Sequence, residues 1–313
     1  METITLRSYR HSDAAAVSRL FREVYGNHYV HPHVYLPMMI SQNHSDGLWH
    51  SLVAVIGKKI LGHATLCRKK GSHTAEMALG LVHPTTRGQN IATQLCQRLM
   101  IHAQALGCRG VMVKQVTQHP YSQQMGAHLG FCSTALLLDH VASPFGQLQP
   151  ESIVIGFSTI DDYRRPLPAL AWPDSCRDFM LHVCSAFGTQ EKQQPWVGPP
   201  IQFEHAAGRY EVVLKTINSN ILRQLRQLPE HWMISIRLRL AQGFTSAMRS
   251  LSTMGFMFTG VAPDDRGQGW LAMFHRGYRP GKLALHCPHM QRLHDQAQQP
   301  FRSDLSEPPP AGR

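Results

Sequence analysis

Apolar and polar positions alternate from Ile4 to Tyr9, with Ile4 and Leu6 set against Thr5 and Arg7, and predict a first strand. Apolar residues then recur at Ala16, Val17, Leu20, Phe21 and Val24, the spacing of a helix that Ser12 or Asp13 can cap and Tyr25-Gly26 ends. A histidine-bearing loop leads to a second helical segment from about Val34 to Ser41. The apolar runs from Trp49 to Ile56 and from Ile60 to Cys67, joined by Gly57-Lys58-Lys59, read as a hairpin. Ala75 to Val82 supplies a fourth strand, which Pro84 prevents from continuing. After the polar turn Arg87-Gly88-Gln89-Asn90, helical spacing returns at Ile91, Leu95, Leu99 and Ala103, and Gly107 is a helix stop.

The pattern continues with a β-branched strand from Gly110 to Val116, a turn from Thr117 to Ser122, a short helix and Leu129-Gly130-Phe131. Cys132 to His140 and Ser152 to Thr159 are two more strands. The proline-rich stretch from Asp161 to Pro173 marks a boundary between two lobes. Beyond it lie a helix (Asp174 to Phe187), a polar loop (Gln190 to Pro200), a strand (Tyr210 to Lys215) and a helix (Asn220 to Leu228). The run from Trp232 to Leu240 alternates, with Ser235, Arg237 and Arg239 expected to face outward. A helix from Thr245 to Met254, Gly255-Phe256, and strands from Phe256 to Val261 and Trp270 to His275 complete this half. Strand, helix, Met-Gly-Phe, strand, loop, strand repeats the layout of residues 110–159. No strand-turn-helix able to hold phosphates is expected in the second half, and Arg266-Gly267-Gln268-Gly269 reads as a plain connection between strands. From Pro288 the chain turns polar and is expected to be disordered.

A strand, a tight turn and a helix place several backbone N–H groups at a helix N-terminus, an anion site suited to a pyrophosphate, with Arg87 as a positive fork beside it. The stretch also resembles something specific. Acetyltransferases of the GNAT superfamily carry a loop written Arg/Gln-x-x-Gly-x-Gly/Ala after their fourth strand, and Arg87, Asn90 and Ala92 hold its first, fourth and sixth positions. Leu129-Gly130-Phe131 is a second hallmark, in the right order and with the right strand between. Asn90 replaces the family's preferred glycine, and asparagine tolerates positive φ.

The resemblance covers roughly residues 3–160 and implies an α+β GNAT fold, a mixed and mostly antiparallel twisted sheet flanked by helices. It implies an acyl-CoA-dependent N-acyltransferase, with acetyl-CoA as the acyl donor, moving the acyl group directly to an amine in a ternary complex. Coenzyme A contacts are then expected from Leu81, Val82, Arg87, Gly88, Gln89, Asn90, Ile91, Ala92, His119 and Ser122. Glu76 is the candidate base, against a solvent-facing strand residue as the alternative. The family's thiolate-protonating tyrosine would stand at Gly126, so His119 or Tyr121 is the candidate acid, against simple packing. Tyr25, Tyr29 and Tyr35 are candidate acceptor contacts, against aromatic packing under a loop.

Composition narrows this further. At 313 residues and 43% hydrophobic, the chain suits two lobes: a catalytic domain at 1–160, a smaller degenerate GNAT-like lobe at 161–287 and a tail at 288–313. Seven cysteines without a CxxC pair read as reduced thiols of a cytoplasmic protein. No run has the length of a membrane span. A net charge of +11 suits a polyanionic donor, but the basic residues are scattered, so nucleic acid is not the expected primary partner. Twenty histidines stand mostly singly, and the group His28, His31, His33 lacks finger-like partners, so no metal is expected. G-x-S-x-G and GxGxxG are absent, against hydrolase and nicotinamide chemistry. Two alternatives stay open: a catalytically silent CoA-binding regulator, and an acyltransferase associated with nucleic acid. The partner is expected to be a small-molecule or peptide amine, and the protein a monomer or homodimer.

Overall fold

A computed structural model describes residues 3–143, 148–206, 209–278 and 282–298. The first half runs β1 (Thr5–Ser8), α1 (Ala14–Tyr25), a 3-10 turn (Pro32–Tyr35), α2 (Pro37–Ser45), β2 (Trp49–Ile56), β3 (Lys59–Cys67), β4 (Thr74–Val82), α3 (Ile91–Ala105), β5 (Gly110–Val116), α4 (Tyr121–His128), β6 (Cys132–Val141) and β7 (Glu151–Thr159). The remainder runs β8 (Leu167–Pro168), α5 (Asp174–Phe187), β9 (Thr189–Gln190), β10 (Ile201–Ala206), β11 (Arg209–Leu214), α6 (Ser219–Arg226), β12 (Ile234–Arg239), α7 (Phe244–Ser252), β13 (Met257–Pro263), β14 (Trp270–Arg276) and α8 (Pro288–Gln298).

Amphipathic stripes decide which face each helix covers. Ile91, Leu95, Leu99 and Ala103 of α3 are buried with Leu52, Ala54, Leu66 and Val111 of the sheet. Val17, Leu20 and Phe21 of α1 are buried on the other face with Val53, Val55, Leu79 and Leu81. Each such side chain contributes on the order of 1.5–3 kcal/mol when removed from water. In the second half α5, α7 and α8 cover one large core that includes Phe179, Phe256, Trp270 and Phe274.

Twelve strands form one sheet in the order β1-β2-β3-β4-β5-β7-β6-β13-β14-β12-β11-β10. From β3 inward the succession is β3-β4-β5-β7-β6, and from the opposite edge it is β10-β11-β12-β14-β13. The senses match as well: β4/β5 and β11/β12 are the parallel pairs, and the other neighbours in each succession are antiparallel. The two successions meet where Gly260 of β13 pairs with Ala135 of β6. Gly260 has φ +111, and a Cβ there would collide with the Thr134 carbonyl, so only glycine admits this approach.

Two expectations need correction, and one strand is new. The segment from Pro288 is not disordered: Pro288–Gln298 is a helix, with Met290 and Leu293 buried against the second core, while 299–313 lie outside the described residues. Its apolar residues are so few among polar ones that the stripe was too narrow to read. Strand β10 lies in a stretch without a clear periodic signal, because Ile201 and Phe203 of this edge strand are exposed. Ser235 does not face water. It is buried and its hydroxyl bonds His275 Nδ1 at 2.7 Å. The second half also holds two strand-turn-helix units, β11 into α6 and β12 into α7.

Candidate functional site

Parallel pairing between β4 and β5 runs from Thr74↔Gly110 to Met77↔Val113 and stops. Residues 78–82 of β4 stay with β3, so a wedge opens between β4 and β5. The divergence begins at a register shift opposite His63/Thr65, where Leu79 takes φ +53, a conformation costly for a leucine. His63 supports the bulge from below. It is fully buried, and its Nδ1–H donates to the Leu79 carbonyl at 2.9 Å. Burial pushes its pKa down to about 4, so the ring is neutral.

The His83 amide donates to the Leu61 carbonyl at 2.8 Å. Alternate residues of an antiparallel ladder face opposite edges, so the Val82 amide points into the wedge while the Leu81 amide faces β3. Of the two amides expected to serve as donors, only that of Val82 is therefore turned toward the opening.

Beyond β4 a 3-10 turn (Pro84–Thr86) delivers the loop Arg87-Gly88-Gln89-Asn90, all exposed, to the start of α3. Gly88 has φ +79 and Asn90 φ +58, the left-handed region that asparagine tolerates best among residues with a Cβ. Among the described residues the Asn90 side chain caps nothing, and the first turn of α3 holds no acidic residue. The N-terminal amides of this fifteen-residue helix are thus left for an anion. Ile91 is buried and can offer only its backbone, while Ala92 is exposed. Ser122, at the start of α4, has a buried hydroxyl without a hydrogen-bond partner among the described residues. The exposed amides, the open space around Gly88 and the orphaned Ser122 hydroxyl all suit a phosphate-bearing donor threaded into the wedge.

Glu76 lies on β4 with its carboxylate 3.1 Å from Lys114 Nζ, an ion pair that is partly exposed. It is neither a free base nor a simply solvated residue. His119 and Tyr121 pair with each other, ring centroids 5.0 Å apart, and both are exposed, Tyr121 by 71%. The space of the family's tyrosine is filled differently. The Gln115 side chain is buried between Gly126 and Gly156, where a Cβ on either would meet it, and its Nε2 donates to the Ser122 carbonyl at 2.5 Å.

The tyrosines gather on the α1 side. Tyr29 lies 4.8 Å from Tyr25 and 5.0 Å from Phe21, ring to ring, and its amide donates to the Tyr35 hydroxyl at 2.9 Å. Arg22 sits over the Tyr35 ring at 4.8 Å. Burial raises the pKa of Tyr25 and Tyr29. Tyr25 also feels the charges of Arg87 and Glu151, and Tyr29 that of Glu76, which ties this cluster to both arms of the wedge. Three neighbours escaped the sequence reading. Burial lowers the pKa of His31, which faces Glu76 and Lys114. Lys114 holds Glu76. Glu151, the first residue of β7, is buried, and burial pushes its carboxyl up. Only cross-strand register could have pointed to the last two.

Residues 14–131 match the family model described as the acetyltransferase (GNAT) family. The match is to an acetyltransferase domain and covers less than half of the chain, whose α+β architecture carries further strands beyond it. No curated protein matches the chain. Solved structures resemble about half of it. One is the ribosomal-protein-S5-alanine acetyltransferase of Vibrio fischeri, 16% identical, covering 52% of this chain and 97% of that one at a TM-score of 0.44. Another is the Salmonella typhimurium acetyltransferase yncA with its cofactor acetyl-CoA, 18% identical, covering 56% and 99% at 0.44. A third is a mutant form of the spermidine/spermine N-acetyltransferase SpeG of Vibrio cholerae, 15% identical, covering 51% and 97% at 0.43.

Proposed function

We propose that the protein is an acyl-CoA-dependent N-acyltransferase, with acetyl-CoA as the donor, that joins the acyl group to a small-molecule or peptide amine by direct attack in a ternary complex. The observation that carries this is the wedge between β4 and β5 beside the uncapped N-terminus of α3. Arg87 and the amides of residues 88–92 hold the pyrophosphate. The Val82 amide polarises the thioester carbonyl, a donor aimed at the charge that develops during attack. Ser122 and His119 flank the pantetheine. Tyr25, Tyr29 and Tyr35 shape the acceptor side, with Glu76 and Lys114 on its floor.

The second half reads as a degenerate repeat, with domains at 1–160 and 161–287 and α8 packed onto the latter. Three features support this. The strand successions and senses match. The Glu211–Arg237 ion pair, 2.6 Å, spans β11 and β12 at the diagonal that Glu76–Lys114 occupies between β4 and β5. And what a donor needs is missing: β11 pairs with β12 through its last residue, Leu214↔Leu238, and Asn218 Oδ1 accepts the Ile221 amide and caps α6 itself. The Arg266–Gly269 loop turns carbonyls inward, and Arg165 donates to those of Asp264, Gly267 and Gly269. That polarity repels phosphate.

The seven cysteines are free, which suits a reducing compartment such as the cytoplasm. Among the described residues no helix is long and apolar enough to cross a membrane. A calorimetric titration with acetyl-CoA tests the reading. Saturable binding is expected, weakened roughly 10- to 100-fold by Arg87→Ala, the loss of one charge-assisted phosphate contact. Unchanged affinity in the variant would remove Arg87 from the phosphate site, and no binding at all would remove the function. A second reading, a CoA-binding regulator without turnover, is favoured by Gln115 standing in for the family's tyrosine. Binding without thiol release over a broad amine panel would decide for it.

A further inference from the structure

We propose that Glu151 is the proton acceptor for the attacking amine, in place of Glu76. The inference rests on the transferase reading above.

Register puts Glu151 at the mouth of the wedge. The β5/β7 ladder pairs Lys114 with Ile155 and Val116 with Ile153. Residues opposite each other share a face and every second residue returns to it, so Glu151 lies on the face that carries Lys114. The β4/β5 ladder pairs Glu76 with Met112, two residues from Lys114, and so puts Glu76 on the same face. Along the sheet, Glu151 lies at the end where the wedge opens. The next residue, Ser152, accepts at its carbonyl both the Thr117 amide, 3.2 Å, and the Thr117 hydroxyl, 3.0 Å, just past the end of β5. Ser152 Oγ in turn accepts the Asp139 amide of β6 at 3.0 Å. Two strands therefore fix the backbone beneath the carboxyl group.

The side chain is unusual for its type. Glu151 is 4% exposed, and its Oε2 is sealed from solvent with no hydrogen-bond partner among the described residues. A buried carboxylate oxygen without a donor is costly to fold around, and such groups persist where chemistry uses them. Burial raises its proton affinity, the direction a base for an ammonium requires. Tyr25, from the acceptor-side helix α1, is close enough to feel its charge. Glu76 has the opposite character. It is partly exposed, and its carboxylate is already paired with Lys114.

The balance is simple. Glu151 removes one proton from the ammonium and later passes it to water. The freed nitrogen lone pair forms the C–N bond at the thioester carbonyl carbon. The C–S bond then breaks with its electron pair on sulfur, and the second proton, carried by nitrogen, leaves with the thiolate as thiol.

Thiol release from acetyl-CoA with an accepted amine is to be compared for wild type, Glu151→Gln and Glu76→Gln, with acetyl-CoA affinity measured by calorimetry on each. The isosteric Glu151→Gln should lower kcat about 100-fold or more, the usual reach of a general base, while the affinity for acetyl-CoA stays unchanged. Added formate should restore turnover to Glu151→Ala and not to Glu76→Ala. A Glu151→Gln variant that keeps wild-type kcat overturns this inference and leaves the transferase reading standing. A wild type that binds acetyl-CoA but releases no thiol with any amine overturns the transferase reading, and the role of Glu151 with it.

Discussion

Gly126 stands where the family resemblance leads one to expect a tyrosine, and its neighbour explains the glycine. The buried Gln115 side chain lies against its Cα, held by the Ser122 carbonyl. In a helix, Gly→Ala would ordinarily stabilise by up to about 1 kcal/mol. Here Gly126→Ala is expected to destabilise by about 1–3 kcal/mol through overpacking, read from urea midpoints. The departure from the family pattern was legible in the sequence, but its cause was not, because Gln115 is eleven residues away and meets Gly126 only through the fold. His63 gives a second residue-scale expectation. Its pKa falls from an ordinary 6.5 to about 4, so the unfolded chain binds the extra proton between those values. Stability is therefore intact above about pH 6.5 and declines as pH falls toward 4, by on the order of 3 kcal/mol from this group. Chemical denaturation at pH 7 and pH 5 measures it, and His63→Gln should flatten part of the slope.

At the scale of elements, periodicity carried most of the reading. The helices at 14–25, 91–105 and 174–187 and the strands of the first half announce themselves through spacing and turn residues. Asn90 was legible as a left-handed position, and the exposed loop before α3 follows from it. The wedge was not legible, because it depends on where the ladder with β5 ends and where Leu79 bulges, and neither leaves a mark in local pattern. Strand β10 was hidden because an edge strand exposes its apolar residues, and α8 because two buried residues, Met290 and Leu293, are too few to form a visible stripe. Leu293→Ala is expected to cost about 2–5 kcal/mol by leaving a cavity under α8, measured as a shift in the denaturation midpoint. A truly disordered tail would show no change.

Among the described residues the main sheet joins two like successions of strands, which pair where Gly260 lies on Ala135. Around it Ala135, Leu137, Ile153 and Ile155 of the first half are buried with Ala262, Leu271 and Met273 of the second. Gly260→Val should therefore destabilise both halves together, by more than about 2 kcal/mol, since it adds a backbone collision to a forbidden φ. A single cooperative loss in calorimetric unfolding is the expected result. The repeated layout was visible as an order of strands and helices, but the second Glu–Arg pair, the self-capped α6 and the unopened β11 ladder required coordinates. On the proposed function, those differences leave the first half as the place for the donor.

Transfer to an amine is tested most directly by release of free thiol from acetyl-CoA over a panel of amines, amino acids and peptides. Release should depend on both acetyl-CoA and a subset of the amines, with one acylated amine formed per thiol. Folded protein that binds acetyl-CoA and releases no thiol beyond spontaneous hydrolysis with any of them would contradict it.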